Sequence, residues 1–216
     1  MKLYLVRHGQ SEGNLTHIFQ GPEENLTALG KKQAEFLAHR FESIPVDYIL
    51  ASPYIRAQQT AEYISAVKKI PITHNPLLVE KKWGSVLTGK SRDNPEIQKV
   101  KDLLIEKELS DPEFRDTTEE RFIDVRARAV AFLNFAVTLN QTYNNIAVIS
   151  HGHFLRVLFA TIIHGPEVPA KLFRDLFNTT SMHNTGITVA DYDGKNWHIV
   201  TLNDHAHLGD YHRQNI

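Results

Sequence analysis

The 216-residue chain has no cysteine. That excludes a disulfide framework, a thiolate nucleophile, Cys-ligated zinc and iron–sulfur clusters. Charge of one sign is also missing: 24 Lys and Arg stand against 25 Asp and Glu, a net charge of −1. General binders of nucleic acid or acidic membranes carry a basic excess, so only a local basic pocket stays open. Long hydrophobic runs are absent too. The stretch from Ala129 to Leu139 is too short to span a bilayer and holds Asn134. Near the N-terminus only Leu3 to Val6 are consecutively apolar before Arg7, less than a secretory signal needs. A soluble, cytoplasmic protein is expected. With 42% hydrophobic and 23% charged residues, the chain can bury a core and does not read as disordered. Against these absences stand twelve histidines, which make imidazole the natural place to look for chemistry.

The elements alternate. Leu3 to Val6 reads as a buried strand. Ala34, Leu37, Ala38 and Phe41 recur at i, i+3, i+4 and i+7, predicting a helix over 28–42 with Thr27 as its cap. Residues 47–51 read as a second strand. Ser52-Pro53 reads as a helix start, Ser as cap and Pro at the first helical position, continuing to about Val67. A strand is expected within 72–79, a helix over 99–109, and a long helix over 119–139 with Phe122, Val125, Ala129, Leu133 and Ala136 on one face. Residues 146–149 read as a buried strand and 154–163 as a helix. Strands over 187–190 and 197–202 flank Asp193-Gly194, a hairpin signal. The pattern predicts an α/β fold, a three-layer α/β/α sandwich with a mostly parallel sheet and an antiparallel edge. No Pro/Gly/Ser-rich linker divides the chain, so 1–216 is expected to be one domain with a helical insertion at about 88–120.

Three expected strands end in polar residues: Arg7-His8-Gly9, Ser52-Pro53 with Arg56 just beyond, and Ser150-His151-Gly152. Ligands of open α/β sheets bind beyond the carboxyl ends of strands, which would gather two His and two Arg. Arginine matches phosphate oxygens with planar charged donors, and helix N-termini add N–H groups. Arg56 in a first helical turn opposes the helix dipole, a penalty of about 0.3–1 kcal/mol that a bound anion would reverse. It could equally reach solvent or pair with a carboxylate. A neutral imidazole can attack phosphorus once its other nitrogen is held as a donor. His8 suits that role, and Gly9 allows close approach of the backbone.

Leu5-Val6-Arg7-His8-Gly9-Gln10-Ser11-Glu12-Gly13-Asn14 resembles the RHG signature of the histidine phosphatase superfamily, the phosphoglycerate mutase-like fold. The likeness covers nearly the whole chain. Asn25 to Gly30 is similar to its "LTxxG" segment and Ser52 to Thr60 to its "SxxxRAxQT" segment. Leu78 to Gly84 is similar to "LxExxxG", Val148 to Gly152 to its second His-Gly, and Asn203 to Leu208 to its "ND..HL" tail. The resemblance implies His8 as nucleophile. It implies Arg7, Arg56 and His151 as phosphoryl ligands, helped by Asn14, Gly152 and the turn at Gln20-Gly21. It implies Glu80 as the acid that protonates the leaving oxygen and then the base that activates water. No cofactor or metal is implied.

Departures narrow the branch. Gly84 and Gly89 are five positions apart where the family has four. Gly152 stands where acid phosphatases carry a proton-donor Asp. Residues 88–120 do not resemble the longer basic segment of cofactor-dependent mutases. Hydrolysis is therefore expected over phosphoryl shuttling, with a mutase or a catalytically weak phospho-ligand binder as alternatives. His151/His153 and His205/His207 have the i, i+2 spacing of some metal sites, yet no H-E-x-x-H or carboxylate cluster accompanies them. Among Lys81, Lys82, Lys90 and Arg92, Lys90 is the first choice for a second anionic group on the substrate. The expected partner is a small phosphorylated metabolite, with no nucleic acid and no membrane. The protein is expected to be a monomer or homodimer.

Overall fold

The computed structural model describes residues 1–111, 114 and 120–209. Among these, the strands are β1 (Lys2–Arg7), β2 (Tyr48–Ala51), β3 (Ile72–His74), β4 (Asn145–Ser150), β5 (Ile187–Tyr192) and β6 (Trp197–Asp204). They join in one sheet of order β3-β2-β4-β1-β5-β6. The first four run parallel. β5 and β6 add the expected antiparallel edge. The helices are α1 (Glu12–Leu15), α2 (Ala28–Glu42), α3 (Ile55–Lys68), α4 (Gly84–Leu87), α5 (Pro95–Ser110), α6 (Phe122–Leu139), α7 (Gly152–His164) and α8 (Ala170–Thr179).

The central strands are nearly all apolar because both of their faces are covered. Side chains alternate across the sheet. Leu3, Leu5, Ile146 and Val148 pack with α6 and α7 in one core cluster. Tyr4, Val6, Ala147 and Ile149 pack with Leu37 and Phe41 of α2 and with Ala57, Ala61 and Ile64 of α3 in the other. The result is the expected three-layer α/β/α architecture. No helix among the described residues is long and apolar enough to cross a membrane.

Several local expectations are corrected. Ser52-Pro53 does not open a helix: α3 begins at Ile55, with Tyr54 extended before it. The expected 72–79 strand stops at His74. Asn75 then accepts the Leu77 N–H bond at 2.9 Å and starts a short 3-10 turn, Pro76–Leu78. The expected 99–109 helix starts earlier, because Asn94 caps it and Pro95 occupies its first turn. The long helix begins at Phe122, and Glu119 lies outside the described residues. Four-residue α1 and α4 and ten-residue α8 were not anticipated.

Candidate active site

The sheet ladder carries the site. Beyond β1, the His8 N–H donates to the Ser150 carbonyl at 3.0 Å, and the Ser52 N–H donates to Ile149 at 2.9 Å. Three strand ends are thereby aligned, and the His8 and His151 rings lie 5.1 Å apart. Gly9 is required by a close approach: a Cβ there would meet the Gly30 carbonyl oxygen at 2.6 Å. The "LTxxG" glycine and the RHG glycine are thus two sides of one contact between α2 and the loop after β1.

His8 is 2% exposed. Its Nδ1 lies 2.7 Å from the Gly9 carbonyl oxygen, an acceptor that fixes the proton on Nδ1. Nε2 therefore carries the lone pair, and Arg56 Nε–H donates to it at 3.2 Å. Burial, then the charges of Arg56 and Arg7, hold His8 well below its ordinary value of 6.5. The ring is neutral at physiological pH.

Arg56 is 1% exposed. Its Nη1 donates to the Gly21 carbonyl at 2.7 Å and pairs with Glu24 at 3.3 Å. The guanidinium also lies over the Tyr54 ring. Arg7 donates from Nη1 to the Met182 carbonyl, while its Nε is buried without a partner. Burial, then Arg156, pushes Arg7 down to about 10, still fully charged at pH 7. Gly152 makes room for it: a Cβ there would sit 3.3 Å from Arg7 Nε. His151 is fully buried, with Nε2 2.7 Å from Ser52 Oγ and Nδ1 unpartnered. Burial and then Arg56 hold it too well below 6.5.

Glu80 closes the site from the loop after the 3-10 turn. Its carboxylate accepts the His153 N–H at 3.1 Å, the Phe154 N–H at 3.0 Å and the Lys81 N–H at 2.9 Å. It therefore caps the N-terminus of α7 from outside, where the helix dipole favours an anion. Asn14 Oδ1 accepts from the Ser11 N–H and from Asn184 Nδ2, and Gln20 Oε1 accepts from Ser11 Oγ at 2.6 Å.

A cavity of about 260 Å³ brings together Arg7, His8, Asn14, Gln20, Arg56, Glu80 and Gly152. His151 lies buried behind His8. Gly21 does not line the cavity, since its N–H is used by Glu24 at 2.8 Å and its carbonyl by Arg56. Lys90 is exposed and also outside it. Arg92 and Arg156 supply the further cations instead, together with Trp83, His153 and Phe177. Arg156 was legible as the cation three residues after His153 on the first turns of α7. Phe177 was not, because α8 was not foreseen.

Among the described residues no group of three or more His, Cys, Asp or Glu is placed to hold a metal ion. His151 engages Ser52, whereas His153 packs against Trp83 and Phe173. His205 stacks on His183, whereas His207 meets Thr185 Oγ1.

Residues 3–205 match the histidine phosphatase superfamily (branch 1). The chain belongs to that superfamily. A probable phosphoglycerate mutase of Proteus mirabilis is 28% identical, over 97% of this chain and 96% of its own. A broad-specificity phosphatase of Saccharomyces cerevisiae is 26% identical, over 97% of this chain and 88% of its own. Among solved structures, YhfR of Bacillus stearothermophilus superimposes with a TM-score of 0.80 at 26% identity. The match covers 96% of this chain and 98% of that one. The matched region thus includes all three strand ends, at His8, Ser52 and Ser150.

Proposed function

We propose that the protein is a metal-independent phosphatase of small phosphomonoesters that works through a phosphohistidine on His8, with Glu80 as proton donor. The observation carrying this reading is the buried, neutral His8, its Nδ1 tied to Gly9 and its Nε2 held in a pocket of arginines. His8 Nε2 attacks phosphorus, and the Nε2–P bond forms as the P–O ester bond breaks. Glu80 gives a proton to the departing oxygen. Water then attacks phosphorus, Glu80 takes its proton, the Nε2–P bond breaks and inorganic phosphate leaves.

Arg7, Arg56 and Asn14 hold the non-bridging oxygens, and Arg92 and Arg156 add positive field. With Ser52 O–H donating to His151 Nε2, the His151 proton sits on Nδ1 and becomes a further donor. Phosphoryl transfer needs this kind of positioning and charge stabilisation above all. The substrate is a free small metabolite of sugar phosphate, phosphoglycerate or nucleotide type, met in the cytoplasm by a monomer or homodimer.

The likeness to the Proteus mirabilis relative favours a second reading, a mutase. Phosphate release from a panel of phosphomonoesters, with EDTA throughout, separates the two. EDTA-resistant release that vanishes in His8→Ala is expected. Phosphate moved within the substrate, only after priming with a bisphosphate, would replace hydrolysis by the mutase reading.

A further inference from the structure

Beside the phosphate pocket lies a second cavity of about 160 Å³, a cleft between α5 and α8. Trp83, His153 and Phe177 line both cavities. A group bonded to a phosphoryl at His8 therefore has a continuous wall to follow. The cleft is lined by Ile105 and Leu109 from α5, Phe122 from the start of α6, and Phe173 from α8. Its apolar edges are open to water: Leu109 is 46% and Phe177 37% exposed. α5 buries none of its 16 residues. It is pinned at its C-terminal end, where Glu108 accepts the Phe122 N–H and pairs with Lys81 at 3.8 Å. The helix thus stands beside α8 without closing on it.

The charges along the cleft do not cancel. Lys81 faces Glu108. Lys101 pairs with Asp102 at 3.6 Å and bonds Gln98. Arg174, on the lining face of α8 between Phe173 and Phe177, has no carboxylate partner among the described residues. A half-buried guanidinium within an aromatic wall is suited to a planar anion carried on an apolar body.

We propose that this cleft is the leaving-group subsite and that its ligand is a ring-sized apolar group bearing a carboxylate. The ring lies along Trp83 and Phe177, and the carboxylate pairs with Arg174. This rests on the phosphatase reading and names the leaving group preferred among its small phosphomonoesters: a carboxylated ring over a short polar chain.

The test has two arms. In the first, kcat/KM is compared for 4-carboxyphenyl phosphate, phenyl phosphate and glycerol 3-phosphate. Wild type should rank them in that order. Arg174→Gln should lose about tenfold on the carboxylated ester, the scale of a partly exposed charge-assisted bond, and stay within about twofold on phenyl phosphate. Ile105→Asp should depress both aryl esters and spare glycerol 3-phosphate. Equal use of all three esters, or an Arg174→Gln profile parallel to wild type, overturns the proposal.

The second arm needs no turnover. Binding of 4-carboxybenzylphosphonate and benzylphosphonate to wild type and Arg174→Gln is measured by calorimetry. Arg174-dependent preference for the carboxylated ligand without phosphate release would sink the phosphatase reading and keep the subsite. Release without discrimination in either arm would do the reverse.

Discussion

The two ends of the substrate channel are built on opposite plans. At the phosphate end, His8, Arg56 and His151 are 2%, 1% and 0% exposed, and His8 and Arg56 each make more than one directed bond. At the leaving-group end, Leu109 and Phe177 are partly open to water, and polar direction comes from Arg174. A phosphatase meets the same phosphoryl group in every turnover, whereas leaving groups differ. Fixed geometry is therefore useful at the first end and shape at the second. Damage at the first end should hit every substrate alike, and damage at the second should change the ranking of substrates.

His8→Ala should show the largest effect at the common end. Turnover should fall about 10⁴-fold or more on all esters, as losses of a nucleophile do. Vanadate or phosphate should still bind through Arg7 and Arg56. Acid-labile phosphoprotein trapped from wild type, and absent from the variant, checks the intermediate. Trapping it at an unchanged level in the variant would remove His8 from the nucleophile role.

Glu80→Gln sharpens the contrast, since Glu80 lines the phosphate cavity and holds the N–H of His153, which lines both. Esters with poor leaving groups should slow by about 10²–10⁴-fold and a nitrophenyl ester much less, because only the former need the proton. Glu80 also caps α7 with both oxygens, so the variant should lose stability by about 1 kcal/mol. Equal slowing of all esters would leave Glu80 with the cap alone.

The buried histidines at the phosphate end, His153 being shared with the cleft, also carry a pH cost. His8, His151 and His153 are all held well below 6.5 in the folded chain, burial being the first cause of each. Above pH 6.5 neither the folded nor the unfolded state protonates them, and stability is whole. Below 6.5 the unfolded chain takes up protons that the folded one refuses. Stability should then fall by about 1.4 kcal/mol per pH unit for each histidine. Urea midpoints measured between pH 7.5 and 5.5 check this. His153→Gln should flatten the slope by about one histidine's share. An unchanged slope would mean that His153 accepts its proton within the fold.

The same contrast governs what the sequence reveals. Arg7-His8-Gly9, Arg56 and His151 were readable because strand ends fix them within a few residues of apolar runs whose period is plain. The cleft was not, because it arises from two helices remote in sequence. α8 has the spacing Phe173, Arg174, Phe177, Asn178, yet it follows Pro169 without a capping side chain to announce it. Lys90 is the cation expected from the cluster after Glu80. The turn through Gly89 leaves it exposed, however, and it is Arg92 that reaches the cavity. Ser52 was read as a helix cap. Its hydroxyl instead takes the Tyr54 N–H and meets His151, a tertiary use that local propensity does not foresee.

One residue outside both cavities holds the segment that carries Glu80, and its replacement should give the smallest effect of these. Arg128, on α6, donates from Nη1 to the carbonyls of Leu77 at 2.8 Å and Val79 at 2.7 Å. Its other nitrogens grip both oxygens of Glu120, at 3.1 and 2.9 Å. Together with Ser150 Oγ on the Leu78 carbonyl, it holds the segment that delivers Glu80. It is a positioning residue by this geometry, since it acts through Glu80's backbone. Arg128→Met keeps an unbranched apolar stem and removes the donors, together with the guanidinium that lies over the Phe154 ring. Poor leaving groups should slow about tenfold, on the order of one or two lost hydrogen bonds to the loop, with inhibition by inorganic phosphate unchanged. Arg128→Lys should recover part of the loss. The double variant with Glu80→Gln should be no slower than Glu80→Gln alone, because both changes remove the same proton transfer. Uniform slowing of good and poor leaving groups, adding fully to Glu80→Gln, would mean that Arg128 serves the stability of the loop and not the delivery of its carboxylate.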